Sequence, residues 1–203
     1  PAIERLTEAV TRYPDDERIN EIRFRLADSY RRHALATREQ LSTEPNLSPQ
    51  QHRLLELRID DEFESALIGF DRVCDGYLRL DPRRLNRLQR DFERNAWMYR
   101  ADAAFELGRY ELAVDLYDKA ARRYAEHAAS MHALVQIINC YELTGDARRA
   151  EVAHRNAVKR LAQLPDDVLD DPENLMDREA WERWLRRRPA DRLVRTDPHE
   201  APN

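Results

Sequence analysis

Glycine is scarce in this chain of 203 residues: four occur, at Gly69, Gly76, Gly108 and Gly145. So few leave almost nothing for β-turns or for the phosphate-cradling loops of α/β enzymes. Strands are not expected. Apolar runs are equally short, and none approaches the roughly 18 residues needed to span a bilayer. Any export signal or lipid anchor is expected to lie upstream of Pro1. Positive charge is not in excess, since the formal net charge is -5 with Arg and Lys dispersed among Asp and Glu. Without a global basic field there is no long-range attraction for a nucleic acid, and none is expected as a partner. Cysteine is limited to Cys74 and Cys140, each among apolar neighbours in a helical stretch, where a thiol is read as a small buried hydrophobe, with a disulfide or a reactive thiol as the other reading.

Catalytic and metal-binding signatures are missing too. There is no HExxH, P-loop, GxSxG or paired CxxC arrangement. His127 and His132 are offset by about 500° on a helix and so do not share a face as ligands. His154 falls in a packing slot, and the pairs Asp15-Asp16, Asp60-Asp61 and Asp166-Asp167 suit helix starts and solvated turns. The expectation is a non-enzyme with no metal and no cofactor.

What is abundant is charge, 36% of residues, over an aromatic fraction of only 8%. That balance points to thin amphipathic helices rather than one thick core. Apolar spacing places helices over 3–13, from Ile19 to about Leu41, from Ser48 to about Leu80, from Asp81-Pro82 through Trp97 to Leu107, over Tyr110 to Tyr124, over Ala128 to Leu143, and from Ala147 to about Leu164. Ser48-Pro49-Gln50-Gln51 is a capping box with proline at the first helical position. The stretch of about 30 residues that follows is long, and a bend is expected near Ile59 to Asp61.

Two segments share one pattern. Trp97, Ala101, Ala104, Gly108, Tyr110, Ala113, Tyr117 and Ala120 repeat, at the same internal offsets, as Leu134, Ile138, Tyr141, Gly145, Ala147, Ala150, His154 and Ala157. Small residues where two helices cross, large ones wedged between them and a glycine at the turn are the features by which the chain resembles the tetratricopeptide repeat (TPR) family. The resemblance implies an all-α solenoid of antiparallel helix pairs, a TPR-like superhelix over 1–164 with a long helical insertion at about 35–94. An acidic linker over 165–176, a C-terminal capping helix over 177–188 and a flexible tail over 189–203 follow. The glycines lie 37 residues apart, against a usual unit of about 34, and the turn around Tyr124 to His127 absorbs the difference. Ala2, Leu6, Ala9 and Pro14 match the second half of a unit, so the chain is expected to be a piece of a longer protein.

In TPR arrays the first helix of each unit lines the concave side. Carried onto this chain, the groove positions are Glu21, Phe24, Asp28 and Arg31, then Asn95, Met98, Asp102 and Phe105, then His132, Val135, Asn139 and Glu142. The set mixes apolar anchors, amides and both charge signs, which suits a peptide or protein ligand. Phe24 and Asp28 stand where the chaperone-binding subgroup carries its lysine and asparagine clamp, which argues against that activity. Units of about 37 residues ending in Tyr-Pro-Asp-Asp resemble bacterial envelope-associated TPR proteins, including outer-membrane-assembly lipoproteins, and point to the periplasm or cell envelope. The function implied is a protein-binding scaffold. The alternatives are an accessory domain of an enzyme whose catalytic part lies upstream, and self-association through the helix from Ser48 to Leu80. Arg183, Arg186, Arg187 and Arg188 beside Trp181 and Trp184 form one basic, aromatic cluster. It is read as a helix end offsetting its dipole while the tryptophans pack, with anionic lipid or a nucleic acid backbone as the other reading.

Overall fold

The structure is a computed structural model that describes residues 2–44, 46–172, 174 and 176–187. The tail expected over 189–203, with Arg188 and His199, lies outside them. The described residues form helices and no strands: α1 (Ala2–Arg12), α2 (Ile19–Thr43), α3 (Pro49–Leu78), a 3-10 turn (Pro82–Arg84), α4 (Arg87–Glu106), α5 (Tyr110–Arg123), α6 (Ala129–Leu143), α7 (Ala147–Gln163), α8 (Asp166–Leu169) and α9 (Arg178–Leu185). They fall into two compact units, Pro1–Arg109 and Tyr110–Asn203.

In the first unit each helix packs on the one before it. Helix α3 begins as its residues dictate: the Ser48 hydroxyl accepts from the Gln51 N–H at 3.3 Å, and the Gln51 side chain accepts from the Ser48 N–H at 2.9 Å. Its buried residues, Ile59, Phe63, Ala66, Leu67, Phe70, Val73, Cys74 and Tyr77, recur every three or four positions and make one stripe. The helix runs unbroken through Ile59 to Asp61, where a bend was expected. Ahead of the stripe the helix is bare, with Leu54 66% and Leu57 52% exposed.

The α2–α3 crossing is close because two α3 residues lack a Cβ. One added at Gly69 would stand 2.7 Å from the Ala27 Cβ, and one at Gly76 would overlap the Asn20 amide. Helix α4 does not start at Asp81-Pro82. Asp81 caps only the 3-10 turn, after which Leu85 turns extended and is buried, and α4 begins anew from a capping box between Asn86 and Gln89. Burial of Leu85 interrupts what reads as one helix in the sequence.

Gly108 and Gly145 end α4 and α6 with φ of +69° and +72°, backbone that a side chain disfavours. At the first, Arg109 N–H donates to the Ala104 carbonyl and Gly108 N–H to that of Phe105; at the second, Asp146 donates to Tyr141 and Gly145 to Glu142. Both are Schellman turns.

In the second unit α6 packs against both α5 and α7, burying Met131, Ala133, Val135, Ile137, Ile138 and Cys140. Asp146 caps α7 by accepting from the Arg149 N–H at 2.8 Å, which holds its carboxyl below the usual carboxylate range. The acidic segment expected to be a linker contains α8, formed because Leu169 is fully buried. Asp177 caps α9, accepting from the Ala180 N–H at 2.8 Å, and α9 packs on α7 through Trp181 and Leu185. The His154 Nε2 donates to the Leu185 carbonyl at 2.7 Å. Arg178 bonds Asp166 and the last-turn carbonyls of Leu161 and Leu164, so one side chain finishes α7 and anchors α9.

Candidate functional site

In the first unit, α2 contributes Glu21, Phe24, Asp28 and Arg31, and α4 contributes Asn95, Met98, Asp102 and Phe105. Their surroundings follow from how α2 meets its neighbours. Phe24 stacks on Phe92 of α4 with ring centroids 4.4 Å apart and planes 19° apart, and it meets Phe70 of α3 edge-on at 5.7 Å. Only 5% of Phe24 is exposed. Asp28 accepts from Arg31 at 2.7 Å and from Arg32 at 2.6 Å, and the Arg31 guanidinium lies 4.0 Å over the Tyr99 ring. Glu21 is bound by Arg18 at 3.2 Å and by the Gln89 amide at 3.4 Å. Met98 is buried, while Asn95, Asp102 and Phe105 are half-buried.

This α2–α4 wall is therefore largely filled by its own side chains. On this wall guanidinium groups lie over aromatic rings: Arg31 on Tyr99 and Arg25 over Phe92, at 5.6 Å. The Asn95 amide has no partner among the described residues. Phe92, Tyr99 and Gln89 were not singled out by sequence. Phe92 and Tyr99 lie seven apart, two helical turns on one face, and that spacing is the signal that marks them.

In the second unit, α6 presents His132, Val135, Asn139 and Glu142. Val135 is buried, and the other three are half-buried. His132 meets the Tyr117 ring edge-on at 6.5 Å, and the Asn139 amide donates to the Gln136 side chain at 2.9 Å. Asn139 and Gln136 thus offer paired amide groups on one helix face, which match the donors and acceptors of a peptide backbone.

Burial pushes the Cys74 thiol up to about 12, with the Arg100 charge only partly opposing it, and pushes Cys140 up to about 12 as well. Neither is a thiolate near neutral pH. Tyr77 is raised by burial and by the carboxylates of Glu21 and Glu93. The His127 Nδ1 accepts from the Ala129 N–H at 3.0 Å, at the start of α6. Among the described residues no three His, Cys, Asp or Glu side chains gather as metal ligands, and no helix is long and apolar enough to cross a membrane. No known family matches the chain, and neither does any curated protein or solved structure.

Proposed function

We propose that the chain is a helical-repeat protein of the TPR kind, a non-catalytic scaffold that binds a peptide or protein through the first helices of its units. One observation carries the reading. The Schellman turns at Gly108 and Gly145 share the same hydrogen bonds, and each leads into a helix whose buried residues keep a common register. Ala113, Leu116, Tyr117 and Ala120 answer to Ala150, Ala153, His154 and Ala157. In helical-repeat proteins binding falls to the first-helix residues between the packing positions. Those with exposed surface are Arg31, Asn95, Asp102, Phe105, His132, Asn139 and Glu142.

The test is capture of a partner from native extract by immobilised chain, followed by titration of that partner with Phe105→Ala and Asn139→Ala. The proposal expects affinity to fall by about tenfold, in the range of a lost anchor, with helicity retained by circular dichroism. Unchanged affinity in both variants contradicts it.

A further inference from the structure

A second face of the first unit carries a cavity of about 290 Å³ between α1, α2 and α3. None of the twelve predicted groove residues lines it. Its apolar lining is Val10, Leu26, Ala27 and Ile68, the last of them 46% exposed. Its polar lining includes Arg23, half-buried, and Arg72, exposed, with Tyr30 and Ser65. None of these four polar side chains has a partner among the described residues. The other two hydroxyls on the rim are spent on backbone, Thr7 on the Ile3 carbonyl and Thr11 on that of Thr7.

Two arginines line this cavity and no acidic residue does. A groove of the second unit, between α5, α6 and α7, differs in having an acidic residue in its lining, and there Arg122 pairs with Asp118 at 2.8 Å. Arginine and hydroxyl groups can all donate, and donors lining a largely apolar pocket fit a ligand whose polar end only accepts. The volume lies near the lower end of small-molecule pockets, about 300 Å³.

We infer that the α1–α2–α3 cavity is a binding site for a small amphipathic carboxylate, its hydrocarbon on the floor of Val10, Leu26 and Ile68 and its carboxylate held between Arg23 and Arg72. The site is separate from the proposed peptide-binding residues and stands whether or not they bind a partner.

Octanoate is the probe, titrated into the full chain by calorimetry with octan-1-ol and octylammonium as controls, and mapped by amide chemical shifts. The expected result is saturable one-to-one binding at about 1 mM or tighter, with alcohol and ammonium weaker by about tenfold or more, and shifts confined to α1, α2 and α3. The double variant Arg23→Gln with Arg72→Gln removes only unpaired charges, so it retains the thermal midpoint and loses about tenfold in octanoate affinity. Ile68→Glu, at an exposed position, puts a carboxylate beside the site and abolishes octanoate binding. The inference is overturned by no saturable binding below about 10 mM, by equal affinity for octanoate and octanol, or by octanoate binding that neither variant weakens. It is equally overturned if a peptide with an apolar C-terminal residue shifts these amides and octanoate does not.

Discussion

Ala27 of α2 and Gly69 of α3 cross so closely that a Cβ on Gly69 would stand 2.7 Å from the Ala27 Cβ and 3.3 Å from its Cα. The second distance is to backbone, so the strain cannot be relieved by turning a side chain. Gly69→Ala gains about 0.5–1 kcal/mol of helix preference but forces the helices apart, which costs about 1–3 kcal/mol. The clash wins, and the urea midpoint should fall. A rise in the midpoint would show that the helices are not this close.

Gly108 and Gly145 have nothing within 4 Å of an added Cβ, so substitution there tests backbone conformation alone. Gly108→Ala and Gly145→Ala should each lose about 1–2 kcal/mol, while asparagine, which tolerates positive φ, should lose less. Chemical denaturation of the four variants checks it. The two turns should respond alike, because their φ values and hydrogen bonds match.

Phe24 separates a packing role from a ligand-facing one. Enclosed by Phe70, Phe92 and Tyr99, it should cost about 3–5 kcal/mol when cut to alanine. Asn95→Ala, at a half-buried amide without a partner, should stay within about 0.5 kcal/mol. Equal effects in denaturation experiments would refute the packing described for the α2–α4 wall.

Alkaline pH should destabilise the fold. Cys74 and Cys140 keep their protons up to about 12 when folded, whereas an unfolded thiol loses its proton near 8.5. Between those values the unfolded chain binds fewer protons, so stability falls as pH rises through that window and is unaffected by these groups below it. Tyr77, raised by burial and two carboxylates, acts in the same direction. Thermal midpoints from pH 7 to 11 measure this, and Cys74→Ala with Cys140→Ala should flatten the slope.

Helix ends were legible in the sequence where a capping residue stood alone. Ser48, Pro49 and Gln51 mark one start, and Gly108 and Gly145 mark two stops. The start of α4 was not, because Asp81-Pro82 carries a signal similar to that of Asn86 and Gln89 a few residues on, and only the burial of Leu85 decides between them. Position within a repeat gave the helix on which each candidate residue lies but not its neighbours. The contact that encloses Phe24 comes from Phe92, 68 residues later, and no local spacing announces a pairing across that distance. The α1–α2–α3 cavity went unread for the same reason, since Val10, Arg23 and Arg72 lie on three different helices and no local spacing brings them to one groove.

Site-specific photocrosslinking in living cells tests the scaffold reading most directly. A benzophenone amino acid would be placed in turn at Phe105 and Asn139 on α4 and α6, and at Leu112 and Val158, which are exposed on α5 and α7. The account predicts a discrete protein adduct from Phe105 and Asn139 and none from Leu112 and Val158. Adducts arising only from Leu112 or Val158, or no adduct from any of the four, would contradict it.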